Sequence, residues 1–72
     1  MLEKITAILS EHTTATEIHA GSTLEQDLDL SSFDIMEIVM AFEDEFHIEI
    51  SDRDIHKFVT VQDIQEYLEE KL

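Results

Sequence analysis

The chain contains no cysteine, so disulfides, thiolate zinc sites and a protein thiol nucleophile are all excluded. Any thiol chemistry must be imported. It has a single glycine, Gly21, which rules out a glycine-rich phosphate loop, and no G-x-S-x-G elbow surrounds any of its serines. Basic residues are scarce: four Lys and Arg stand against 18 Asp and Glu, for a formal net charge of -14, and none lies between Lys4 and Arg53. Such a surface repels phosphate backbones and anionic lipid while attracting basic protein surfaces, so neither nucleic acid nor a membrane is expected as a partner. The longest uninterrupted apolar run, Ile38 to Phe42, is far too short to span a bilayer, and the amino terminus lacks the basic and apolar segments of a secretion signal. A cytoplasmic address is expected.

What is present suffices for folding. Hydrophobic residues make up 43% of the composition, too many for a disordered acidic tail. The 72 residues make one domain, 1–72, near the size below which a single core stabilises a fold by only a few kcal/mol. The like-signed charge favours a monomer.

Leu2, Ile5, Ile8 and Leu9 recur at helical spacing, so the first dozen residues read as an amphipathic helix that frays near Thr13 and Thr14. From there to Leu30 the pattern dissolves into polar residues with apolar pins at Ile18, Leu24, Leu28 and Leu30. This predicts a long packed loop, with one helical turn starting at Thr23 and paired to Gln26. The next helix, Ser32 to about Phe46, carries a core stripe of Ile35, Ile38, Val39, Phe42 and Phe46. A second apolar stripe, Phe33, Met36 and Met40, lies roughly 100° round the helix, interleaved with Glu37, Glu43 and Asp44.

Phe46, Ile48 and Ile50 alternate with His47 and Glu49, but no second strand candidate exists to pair with them, so an extended connector is expected. Ser51 starts a short helix through about Phe58, and Thr60 starts the last, with Val61, Ile64 and Leu68 on one face. The three helix starts Ser31–Asp34, Ser51–Asp54 and Thr60–Asp63 each place a hydroxyl N-cap three residues before an acid. The fold class is all-α: a small four-helix bundle of three principal helices and one short one, with a long first loop.

Chemistry is sparse. Asp27, Asp29 and Ser31 offer oxygens at positions 1, 3 and 5 of a calcium loop, but Ser32 stands where position 6 needs glycine and Ile38 where position 12 needs glutamate. His12, His19, His47 and His56 form no H-x-x-x-H pair and read as solvent-facing, with no metal site. No spacing brings a histidine to a serine for a Ser-His-Asp site, and a domain this small has little room for a substrate pocket and catalytic groups together. No enzyme activity is expected. What remains is the serine pair. Ser31 is the better N-cap, because Asp34 then falls at the third helical position, and the plain reading is that both serines cap and solvate a helix start. An anion esterified to Ser32 would, however, meet the free N–H groups and the favourable dipole of the first turn.

The segment DLDLSSFDIMEIVMAFEDEFHIEIS resembles the centre of the acyl carrier proteins, whose usual pattern is DLG-x-DSL-D-x-VELVMALEEEF-x-x-EIPDE, and the match runs without a gap through KFVTVQDI. The resemblance implies a four-helix bundle in which Ser32 bears 4'-phosphopantetheine taken from coenzyme A by a magnesium-dependent phosphopantetheinyl transferase. The arm's thiol then holds acyl groups as thioesters and carries them between acyl-processing enzymes. It implies further that Phe33, Met36 and Met40 form an apolar patch facing those enzymes, while Glu37, Glu43 and Asp44 meet their Arg and Lys. Phe42, Phe46, Ile50, Ile55, Phe58 and Ile64 are expected to line the acyl pocket, and their bulk implies a shallow one with short, polar or exposed cargo.

Two positions depart from the family pattern. Ser31 stands where the family nearly always has Asp, keeping the capping ability and losing the charge that the transferase and its magnesium meet; Asp29-Leu30 replaces Gly-x. Fatty acid biosynthesis is the first expectation. A specialised carrier of polyketide, lipid-modifying or aminoacyl cargo is the second, and an unmodified acidic interaction module the third.

Overall fold

Ile5 and Leu9, four residues apart, stack on one face of a helix and are both fully buried, and the same periodicity organises the other long helices around them. The computed structural model describes all 72 residues, with four helices in the order α1 (Leu2–Ser10), α2 (Ser32–Phe46), α3 (Asp52–Ile55) and α4 (Val61–Lys71). Ile35, Ile38, Val39 and Phe42 of α2 and Val61, Ile64 and Leu68 of α4 join α1 in one buried cluster. Phe46 packs against it from the edge. The all-α reading holds.

The first loop, residues 11–31, supplies Leu24, Leu28 and Leu30, which are as deeply buried as the helical core. Its backbone is pinned as well. The Thr13 hydroxyl donates to the Leu28 carbonyl at 2.6 Å, Leu30 N–H donates to the Leu24 carbonyl at 3.0 Å, and the buried Ser22 hydroxyl accepts from His19 N–H at 2.9 Å. The turn that begins at Thr23 exists, but its partner is Asp27 rather than Gln26. Asp27 N–H donates to Thr23 Oγ1 at 3.0 Å and Thr23 N–H to Asp27 Oδ2 at 2.9 Å, because the turn is wider than a three-residue spacing and Asp27 and Leu28 N–H both return to the Thr23 carbonyl.

Three further expectations are corrected. α3 ends at Ile55 rather than near Phe58, since Val59 and Thr60 leave the helix to meet the first loop. Leu24 N–H donates to the Val59 carbonyl at 2.9 Å, Val61 N–H to Ser22 at 3.0 Å and Gln62 N–H to Ala20 at 2.8 Å, around a lone antiparallel bridge between Thr23 and Thr60. Ser51 makes no side-chain cap; the Asp54 carboxylate accepts from the Tyr67 hydroxyl at 2.7 Å and pairs with Lys57 at 3.3 Å. His12 is only 24% exposed at its side chain and faces Glu37 rather than open solvent.

The caps at Ser31 and Thr60 form as reciprocal boxes, and the connector after α2 is extended with Ile50 buried. α2 itself stops at His47, which adopts a left-handed conformation (φ 56°, ψ 50°) where glycine is the usual choice.

Candidate functional site

The extended Ser31 turns the chain into α2 with all of its polar groups committed. Its N–H and hydroxyl both donate to Asp34 Oδ2, each at 3.0 Å, and its Oγ accepts from Asp34 N–H at 3.2 Å. These bonds, the backbone one foremost, hold the Asp34 carboxyl below the usual carboxylate range. Ser32, one residue on, opens the helix, is exposed, and its hydroxyl bonds to nothing in the protein. Its own N–H and that of Phe33 lie in the first turn, where no helical carbonyl reaches them. The result is a free hydroxyl beside unpaired donors at the positive end of a 15-residue dipole, a setting suited to a phosphate ester.

Beside Ser32 a surface cavity of about 480 Å³ opens between the start of α2, the Thr23–Gln26 turn and the stretch following α3. Its apolar wall is Ile35, Met36, Ile55, Phe58 and Val59; its polar rim is Thr23, Glu25, Gln26 and His56. The Phe58 wall is braced from behind by Tyr67, whose ring meets it edge-on at 5.2 Å while its hydroxyl holds Asp54. Burial and the Asp54 carboxylate push the Tyr67 hydroxyl up to about 12, so it keeps its proton and its role as donor.

Of the six residues expected to line a pocket, Ile55 and Phe58 do so. Phe42, Ile50 and Ile64 are instead spent in the core at 0%, 7% and 1% exposure, and Phe46 packs beside Phe42 at the core edge with ring centroids 6.3 Å apart. Periodicity along α2 identifies an inward face, and it cannot tell a filled core from a hollow one. The missed lining residues include Thr23, Glu25, Gln26 and Val59, which come from two segments 36 residues apart that the Thr23–Thr60 bridge and the backbone bonds around it bring together. No local signal announces that bridge.

The second stripe of α2 is open to solvent. Phe33, Met36 and Met40 are 70%, 45% and 60% exposed, and Val59 extends the patch across the cavity mouth at 57%. These large apolar groups form a row outside the core on a small acidic chain. Glu37 and Asp44 are exposed beside it. Glu43 is half-buried, and its Oε2 accepts from Ile50 N–H at 2.8 Å, so one of its oxygens fastens the connector to α2.

Residues 3–68 match the sequence profile described as "Phosphopantetheine attachment site". In three dimensions the chain is similar to a protein from Mycobacterium tuberculosis assigned as an acyl carrier protein, with a TM-score of 0.91, 29% identity, and coverage of 99% of this chain and 97% of that one. No helix here is long and apolar enough to cross a membrane. Since the profile takes in nearly the whole chain and the fold agrees over the same length, the protein belongs to the phosphopantetheine-bearing carrier family that includes the acyl carrier proteins, which carry rather than catalyse.

Proposed function

We propose that residues 1–72 act as one cytoplasmic carrier domain that bears 4'-phosphopantetheine on Ser32 and shuttles thioester-bound acyl groups between enzymes of fatty acid biosynthesis. The observation that carries this reading is the division between the serines: the hydroxyl of Ser31 is consumed by Asp34, and that of Ser32 is exposed and free beside a cavity. The group, when bound, supplies a terminal thiol in a chain that has none of its own. Thr23, Gln26 and the apolar wall of the cavity lie next to the attachment point and are suited to receive part of a flexible arm or its cargo.

Phe33, Met36 and Met40, with Glu37, Asp44 and the free oxygen of Glu43, form the surface offered to a phosphopantetheinyl transferase and to acyl-processing enzymes. Basic partners are steered to such a surface quickly and leave it readily, as a shuttle requires. A specialised carrier of short or polar cargo is the second reading. It is favoured by the filled core at Phe42 and Ile64 and by the polar rim of the cavity.

Intact mass after incubation with coenzyme A and a broad-specificity transferase tests the assignment. One phosphopantetheine increment is expected, absent in Ser32→Ala. An increment that survives that substitution overturns the assignment to Ser32, and no increment at all leaves an unmodified acidic interaction module as the better reading.

A further inference from the structure

His12 lies in the turn that follows α1, and Asp34 and Glu37 are spaced three residues apart on α2. The fold brings one ligand atom from each of the three to within 4.8 Å of the others. His12 Nδ1 stands 3.9 Å from Glu37 Oε1, too far for a hydrogen bond and close to the spacing of about 3.4 Å that two ligands adopt around one tetrahedral ion. We infer that His12, Asp34 and Glu37 form a binding site for a borderline divalent metal ion of the zinc type.

The chemistry of the donors sets the class of ion. One neutral imidazole and two carboxylates carry a charge of two, which matches a divalent cation, and the imidazole nitrogen favours zinc over calcium or magnesium, which take oxygen ligands. Asp34 is oriented from behind: Ser31 N–H and hydroxyl hold its Oδ2, which fixes the plane of the carboxylate and leaves Oδ1 for the metal. His12 is partly sheltered, with its side chain 24% exposed. Three protein ligands leave room for water as a fourth. The ion ties the end of α1 to the first two turns of α2, and withdraws two negative charges from a chain of net charge -14. Histidine spacing cannot disclose the site, because only one ligand is a histidine and it lies 22 residues before the next.

Zinc titration of the unmodified 72-residue chain by calorimetry, with thermal melts in zinc or in an equal concentration of magnesium, tests the site without reference to Ser32. One zinc per chain is expected, raising the melting temperature more than magnesium does. His12→Ala and Glu37→Gln should each weaken zinc binding by about tenfold or more, while the smaller effect of magnesium persists in both. Circular dichroism without metal establishes that each variant is folded; Glu37 is exposed, so its substitution leaves the core intact. Zinc affinity unchanged in either variant, or stabilisation by magnesium equal to that by zinc, overturns the assignment.

Discussion

Ser31 and Asp34 hold each other through three hydrogen bonds of 3.0, 3.0 and 3.2 Å, while the hydroxyl of the neighbouring Ser32 is left with none. Adjacent identical residues thus have opposite dependences. Ser31→Ala should lower stability by about 1 kcal/mol, the usual cost of an N-cap, and retain the modification. Ser32→Ala should change stability by less than about 0.5 kcal/mol and abolish the mass increment. Thermal melts paired with intact mass separate the two.

Ser31→Asp preserves an N-capping oxygen and restores the charge that the family's transferases usually meet. Its initial rate of loading by a broad-specificity transferase is expected to exceed that of the parent chain severalfold. The melting temperature should move little. Equal rates would show that Ser31 costs the chain nothing in recognition.

Tyr67 gives the fold an alkaline signature. Its hydroxyl is raised to about 12, whereas an unfolded tyrosine ionises near pH 10, so its contribution is whole below about pH 10 and is lost as pH rises towards 12. Tyr67→Phe removes that loss: parent and variant should converge in stability across this window, as measured by denaturant midpoints at each pH. At the acid end the signs reverse. Asp34 and Asp54 are held below the ordinary value, so they stabilise the fold above about pH 4 and cease to do so as pH falls further.

Phe42→Ala should cost about 3–5 kcal/mol, most of the stability of a chain this size, because the ring is fully buried. Ile55→Ala, at the cavity wall and only partly buried, should cost much less and admit bulkier cargo. Denaturant melts of both variants, and the range of acyl groups tolerated on the loaded Ile55→Ala protein, check the contrast.

The excess of acid predicts a salt response. Raising ionic strength from about 0.01 to 0.15 M shortens the Debye length from about 30 to 8 Å and screens repulsion across the molecule, so the melting temperature should rise. A melting temperature indifferent to salt would count against self-repulsion as a significant load on this fold.

The helices were legible because each long one solves its burial problem locally. Ile35, Ile38, Val39 and Phe42 announce their face by spacing alone, and Ser31 and Thr60 announce their helix starts through an acid three residues on. Ser51 has the same spelling and makes no cap, and the Asp54 carboxylate there is bonded to Tyr67, 13 residues away, a partner that spacing does not show. The cavity and the His12 cluster were hidden for the same reason: both are made by segments distant in sequence. The family motif singled out Ser32, which the structure leaves exposed, and grouped Phe42 and Ile64 with the pocket walls, whereas both are packed in the core.

The pairing of Thr23 with Thr60 encloses everything between those residues, including Ser32, α2 and α3, in a single clasp. The cavity cannot widen on its loop side without parting that clasp, so any widening there is coupled to a handful of backbone amides. Protection of the Leu24, Val61 and Gln62 N–H groups against deuterium therefore becomes a clock for the opening of the cavity, readable before any cargo has been identified.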